Sequence, residues 1–318
     1  MKYNETTVSE FILLGFTDIP KLQLLLFPVL FFAYLLTIFG NAVIITITHL
    51  DLRLQTPMYL FLRNFSFVEI GFTTAVIPQT LAHLATGSKR ISYVGCMIQS
   101  FLYFQLGTTE FFLLAVMSFD RYVAICNPLR YPTIMNHRLC ICLVLCSWFG
   151  SFLLIIGPSL LFLQLPMCDS NILDHFFCDN TPLIKILCGD TRLLGFLGFI
   201  TAVLSVLGTL TITVVSYINI IKTIVRIPSA TGRQKAFSTC ASHFVVVSIT
   251  YGSCIFLYIK PTQNNKLELG KVVAILNTIV SPLLNPFIYS LRNKQVQEAL
   301  RDALQQLTGI VRGLGKKN

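Results

Sequence analysis

Charge is what this sequence lacks. Asp, Glu, Lys and Arg make up 12% of its 318 residues, against about 25% in a soluble domain, too few to cover a water-facing globular surface. It has a single Trp and 14 acidic residues, while 54% of the chain is hydrophobic and the mean hydropathy is +0.71. The 24 Lys and Arg leave a net charge of +10, a balance that in a soluble chain suggests a nucleic-acid partner. Here the charges sit in short segments between long uncharged runs, so the basic excess reports orientation in a membrane and no nucleic-acid partner is expected. No cleavable leader is expected either, because the first apolar run follows Glu5, Glu10 and Asp18 and is too long for an h-region. No internal repeat is evident, which weighs against a transporter built from inverted repeats.

What is present are runs long enough to cross a bilayer, about 20 residues each. Uncharged runs extend from Leu24 to Ile47, Leu139 to Met167, Leu193 to Ile221, Ala236 to Ile259 and Val272 to Leu291. Pro57 to Leu81 and Tyr93 to Ile125 are apolar enough to span but carry Arg63 and Glu69, then Glu110, Asp120 and Arg121. An ionisable group inside a membrane is rare and functional by default. The pattern predicts an all-α membrane protein, a seven-helix transmembrane bundle with the N-terminus outside and the C-terminus inside. With that orientation, 15 of the 24 basic residues fall on the inner side. Lys222, Arg226, Arg233 and Lys235 crowd the inner segment before the sixth span, whereas the outer segment after the fourth holds Asp169, Asp174, Asp179 and Asp190. The expected organisation is an extracellular tail over 1–23, the transmembrane domain over 24–292 and a cytoplasmic segment over 293–318. In the last, Val296, Leu300, Ala303, Leu304 and Leu307 share one stripe, predicting a short amphipathic eighth helix on the inner leaflet.

Topology also sorts the modifications. Asn4-Glu5-Thr6 is a glycosylation sequon in the outer tail, whereas the sequon at Asn64 falls inside a span and is expected to be silent. Of ten Cys, Cys96, Cys168, Cys178 and Cys188 face the oxidising side and can form disulfides. Four Cys allow three pairings, and spacing alone does not choose.

Chemistry-bearing motifs fall at defined depths. Asp120-Arg121-Tyr122 closes the third span, Gly40-Asn41 lies in the first, and Pro57-Met58-Tyr59 opens the second. The string Lys235 to His243 opens the sixth, and Pro282-Leu283-Leu284-Asn285-Pro286-Phe287-Ile288-Tyr289 lies in the seventh. Arg121 at an inner helix end needs a partner, because an unpaired guanidinium at the membrane edge is costly, and Asp120 is adjacent. Pro286 removes a backbone donor inside a span, which kinks the helix and frees a carbonyl. Glu69 and Glu110 both fall near mid-membrane, where two desolvated carboxylates cannot comfortably both ionise; they either share a proton or bind a cation.

Together the five motifs closely resemble the olfactory (odorant) receptors of the rhodopsin-like G-protein-coupled receptor family, tetrapod-type class, over roughly Phe11 to Leu300. Small departures are Ser118-Phe119 before the Asp-Arg-Tyr and Glu69 where the family commonly has Asp. The resemblance implies disulfides Cys96–Cys178 and Cys168–Cys188. It implies that Asp120, Arg121 and Tyr122 form the coupling latch, with Tyr217 and Tyr289 repacking beside it, His243 as an inner-face contact and switch residue for the third helix, and Asn285 and Pro286 forming a moving kink. It also points to Na+ between Glu69 and Glu110 with help from Asn285, beside the shared-proton alternative, and no cofactor is otherwise required.

Helical spacing places Phe104, Gly107, Thr108 and Phe111 on one face, opposed by Thr201, Ser205, Tyr251, Cys254, Ile255 and Tyr258, as the lining of an outer ligand cavity. This set has no charge, and Tyr103 stands where amine-binding relatives carry an acid, so the expected ligand is small, neutral and mostly apolar. The resemblance further implies a plasma-membrane receptor that activates a stimulatory, olfactory-type heterotrimeric G protein and raises cyclic AMP. The competing reading is an ion channel or transporter using Glu69, Glu110 and Asp120; an enzyme is not expected, since no metal-protease motif or paired catalytic Asp appears.

Overall fold

Apolar side chains cover the outside of this protein as well as filling its interior. In this computed structural model, which describes residues 9–16, 19–167, 171–259, 266–292, 295–303 and 305, Leu24 is 79% exposed and Phe199 64%, while Asn41, Glu69, Asp120, His243 and Asn285 are buried. Large apolar residues facing outward, around an interior that is mostly apolar but also holds polar and ionisable side chains, are what a hydrocarbon solvent selects.

The helices are α1 (Pro20–Leu50), α2 (Pro57–Thr86), α3 (Tyr93–Cys126), α4 (Tyr131–Ile134), α5 (His137–Gln164), α6 (Asn180–Lys185), α7 (Arg192–Ala202), α8 (Thr209–Arg226), α9 (Ala230–Ile259), α10 (Lys266–Ile275) and α11 (Ser281–Arg292). A π turn at Val203–Gly208 joins α7 to α8 as the fifth span, and another at Leu276–Val280 joins α10 to α11 as the seventh. The first, second, third, fourth, fifth and seventh spans are each long and apolar enough to cross a membrane; the sixth, α9, contributes the shorter apolar stretch Cys240–Cys254. The fold is a seven-helix transmembrane bundle.

Local chemistry sets the helix starts. Pro57 occupies the first turn of α2, where a missing N–H costs nothing. Ser92 Oγ accepts the Gly95 N–H at the head of α3, and Asn136 Oδ1 accepts the Leu139 N–H at the head of α5. Gly87 ends α2 with φ of 70°, a left-handed cap that glycine adopts without strain.

Prolines inside the spans free carbonyls, and neighbouring spans satisfy them. Pro286 cannot bond back to the Pro282 carbonyl, which instead accepts from Asn41 Nδ2 at 3.3 Å. Pro282 likewise frees the Thr278 carbonyl, which takes the Thr73 hydroxyl at 3.3 Å, and Pro158 frees the Leu154 carbonyl, which takes the Thr201 hydroxyl at 3.2 Å. Gly40 lets the first span come close enough for this exchange: a Cβ there would stand 2.9 Å from Pro286 Cβ. The Gly40-Asn41 motif is thus one device, a close approach plus a donor.

The outer tail is more than a tail. Within 1–23, β1 (Glu10–Leu13) pairs antiparallel with β2 (Arg90–Ser92) and parallel with β3 (Ile172–Leu173), burying Phe11 and Leu13. Arg90, a basic residue on the side with few of them, pairs with Glu10 at 2.9 Å. Helical periodicity did not disclose this small sheet, because its strands are two to four residues long and lie far apart in sequence. At the inner end, residues 295–303 are helical, with Val296, Ala299 and Leu300 packed against the bundle core and Arg301 and Asp302 exposed. The stripe therefore turns inward onto the bundle over these residues; Leu304 and Leu307 lie outside the described residues. Arg53 ties this helix to the first inner loop by pairing with both Asp51 and Asp302.

Candidate functional site

The outer half of the bundle encloses a cavity of about 1020 Å³. Phe104, Gly107, Thr108 and Phe111 of α3 line it, as do Thr201, Ser205 and Cys254 from the fifth and sixth spans. Tyr251 sits behind the wall, buried with its ring 5.3 Å from that of Phe111. The side chains of Ile255 and Tyr258, and Asn4, lie outside the described residues. Tyr103 stacks on Phe72 at 4.8 Å and meets Phe177 at 4.4 Å, so it joins the outer loop to the wall.

The particular residues of the roof were not among the expected lining. A disulfide between Cys96 and Cys178 fixes the outer loop to the head of α3, and the loop then lays His175, Asp179 and the first turn of α6 over the cavity. Cys188 is also disulfide-bonded; Cys168 lies outside the described residues. The His175 ring is sandwiched against Phe176 and Phe177, and burial, aided by the Lys271 ammonium, pushes its pKa down to about 4, so the ring is neutral at physiological pH. Lys271 itself is tied to Asp174 at 2.8 Å, joining the seventh span to the loop. Asp179 accepts the Thr181 N–H at 3.1 Å as the cap of α6, and burial raises its carboxyl above the ordinary range. The cavity wall therefore carries carboxylates that the predicted uncharged set did not include, Asp179 in the roof and Glu110 in the floor.

Below the floor lies the polar centre of the bundle. Asn285 Nδ2 donates to Glu69 Oε1 and to Ser281 Oγ, and Glu110 is within electrostatic reach of Glu69. Asn41 Oδ1, Glu69 Oε2 and Asn285 Oδ1 are buried oxygens without a hydrogen-bond partner. Among the described residues no three His, Cys, Asp or Glu side chains gather as a metal site.

At the inner end, Arg121 Nη2 meets Asp120 Oδ2 at 2.5 Å and Nε meets the same oxygen at 3.1 Å. The other carboxylate oxygen, Oδ1, accepts the Tyr131 hydroxyl of α4 at 2.7 Å. Tyr131 carries no motif signal beyond its place in the second inner loop, and only the fold brings it to Asp120. Tyr217 hydroxyl and His243 Nδ1 are 2.7 Å apart with their rings stacked, and both lie within electrostatic reach of Arg121. Tyr122 packs against the Tyr217 cluster, and Tyr289 sets its ring edge-on to Phe65 at 6.3 Å.

The sequence model of the olfactory receptor family matches residues 30–307. The chain is 55% identical over 304 residues to human (Homo sapiens) olfactory receptor 6C74, covering 96% of this chain and 97% of that one. It is 58% identical over 300 residues to mouse (Mus musculus) olfactory receptor 6E1, covering 94% and 96%. The crystal structure of squid rhodopsin superposes with a TM-score of 0.72 at 18% identity over 90% of this chain and 82% of that one, which speaks for the fold alone.

Proposed function

The chain belongs to the olfactory receptor family, and from that premise we propose that it binds a small, neutral, mostly apolar odorant in the outer cavity and activates a stimulatory, olfactory-type G protein, raising cyclic AMP. It is a multi-pass plasma-membrane receptor of the G-protein-coupled class and not an enzyme. The observation that carries the ligand class is the cavity itself: about 1020 Å³, lined mostly by aromatic and aliphatic side chains, with hydroxyls, amides and few ionisable groups among them. Of the two carboxyl groups on the wall, Asp179 already caps a helix, and Glu110 lies close enough to Glu69 for two negative charges to oppose one another, which disfavours both as counter-ions for an amine.

Transmission requires that the ligand bind one bundle conformation better than another. Filling the space between Thr108, Ser205 and Cys254 favours an arrangement of the third, fifth and sixth spans, and the same spans hold the inner latch. There, Arg121 leaves Asp120 and meets the G protein, with Tyr217 and His243 repacking; the segment from Ile125 to Arg138 and the basic residues from Lys222 to Lys235 supply the remaining contacts. The paired Asn285–Pro286 step hinges the seventh span. Na+ suits the centre beneath the cavity, because the buried Glu69 carboxylate keeps one oxygen without a hydrogen-bond partner, the Asn41 and Asn285 side-chain oxygens are likewise buried and unpartnered, and a hard cation takes oxygen ligands. Glu69, Asn41 and Asn285 would hold it beside Glu110, and its charge would stabilise the ionised carboxylates.

The test is cyclic AMP accumulation in cells expressing the chain, with octanal, octanol, 2-octanone and octylamine as matched probes. The neutral compounds should elicit the larger responses, and Arg121→Ala should abolish them at unchanged surface expression. A response confined to the protonated amine refutes the ligand class; a response surviving Arg121→Ala refutes the latch.

A further inference from the structure

The ligand cavity has a side as well as a roof. Its wall includes residues of the third and fourth spans that point out of the bundle: Ile98 is 55% exposed, Phe152 42% and Leu160 52%. The same space touches Thr108 and Ser205, which are buried among the helices. A single space bounded by both sets connects the bundle interior with the hydrocarbon outside.

The opening lies at the depth of the outer leaflet, since Ile98 is near the outer start of α3, Leu160 near the outer end of α5 and Gly198 near the outer start of α7. Gly198 lines the space, and a Cβ built there would meet nothing within 4 Å. The rim is held by fixed contacts. Phe101 and Phe152 meet edge-on at 6.1 Å between the third and fourth spans, and the Thr201 hydroxyl bonds to the Leu154 carbonyl freed by Pro158 between the fourth and fifth. Above it, His175, Phe176 and Phe177 are buried in the loop that the disulfide anchors.

We propose that this opening is a lateral port through which a neutral, apolar ligand passes from the outer leaflet into the cavity. The proposal rests on the cavity being the ligand site. Each buried CH₂ is worth about 0.8 kcal/mol, so a six-carbon chain is enriched in hydrocarbon by roughly a thousandfold or more over water. A ligand of that class meets the receptor mainly from the bilayer, and the port opens where it is concentrated.

Cys254 gives a native probe, a free thiol on the cavity wall. In the full chain reconstituted in lipid nanodiscs, alkylation of Cys254 by bilayer-soluble N-cyclohexylmaleimide is followed by peptide mass spectrometry, beside a charged, membrane-impermeant methanethiosulfonate. Cys142 and Cys146, exposed on the lipid-facing side of α5, serve as internal standards for supply of the apolar reagent through the bilayer, and the free thiol in solution is the standard for the charged one. Relative to a free thiol in solution, the apolar reagent should label Cys254 about tenfold faster than the charged one. Gly198→Phe should slow the apolar labelling about tenfold. Gly195→Phe should leave it unchanged, because Gly195 is on the same helix with equally open space but is not on the cavity wall. Equal labelling in Gly198→Phe and the unsubstituted chain, or faster labelling by the charged reagent, overturns the port. Labelling needs no signalling, so silence toward the odorant panel sinks the ligand reading alone, and an odorant response with labelling insensitive to Gly198→Phe sinks the port alone.

Discussion

Replacing Asn41 by Leu tests whether the first and seventh spans are joined by the carbonyl that Pro286 frees. Asn41 is fully buried, and its Nδ2 donates to the Thr37 carbonyl at 3.1 Å and to the Pro282 carbonyl at 3.3 Å. The Thr37 carbonyl belongs to an unbroken helix turn and keeps its backbone partner. The Pro282 carbonyl does not, so the variant leaves one buried acceptor unpaired. An unsatisfied buried group costs about 1–3 kcal/mol, and interhelical hydrogen bonds measured in membranes average about 0.6 kcal/mol and reach about 1.7 kcal/mol. Together these put the loss near 1.5 kcal/mol, which at roughly 2–4 °C per kcal/mol lowers the apparent Tm by about 3–6 °C. Pro286→Ala returns a backbone N–H to the Pro282 carbonyl and makes the Asn41 donor redundant. Thermal unfolding of the purified receptor, followed with a thiol-reactive dye, should therefore show the Asn41→Leu loss at less than half its size in the Pro286→Ala background. Equal losses in the two backgrounds would refute the reasoning, since the Asn41 contribution would then owe nothing to the proline.

Two further outcomes follow from named contacts. Tyr131→Phe removes the hydroxyl from Asp120 Oδ1 while leaving Arg121 on Oδ2; loosening one side of the latch should raise ligand-independent G-protein activation by about threefold or more, the effect of roughly 0.7 kcal/mol or more, and unchanged basal activity would show that Tyr131 does not hold the resting state. His175 titrates near 4 in the folded loop against 6.5 in the unfolded chain, so the unfolded state binds the proton first. The stability that its neutral form contributes is complete above pH 6.5 and falls by about 3 kcal/mol as pH drops toward 4. Lys271 and Asp174 act on the ring in opposite senses. The apparent Tm measured from pH 7.4 to 5.5 should therefore decline in the unsubstituted receptor and decline less in His175→Phe, with parallel curves counting against a loop that rejects the charged ring.

Length of apolar runs and motif depth were enough to read the seven-helix bundle and the family, because hydrocarbon imposes its demand on every residue of a span and so leaves it in local sequence. The same holds for the wall positions Phe104, Gly107, Thr108 and Phe111, which follow from helical spacing along one uninterrupted helix. Across helices the reading weakened: Tyr251 shares the expected face yet sits behind Phe111, because spacing along α9 says nothing about how far that helix is rotated. The roof residues His175 and Asp179, the strand that Glu10–Leu13 adds to two distant segments, and Tyr131 on Asp120 had no sequence signal. Each depends on contacts between segments that only packing brings together. Pro158, Pro282 and Pro286 show the division most plainly. By itself the sequence determined that three carbonyls would lose their helical donors; only the tertiary structure decided that Thr201, Thr73 and Asn41 would supply new ones, since a freed carbonyl in a bilayer must be satisfied but covalent order does not say from which neighbouring helix.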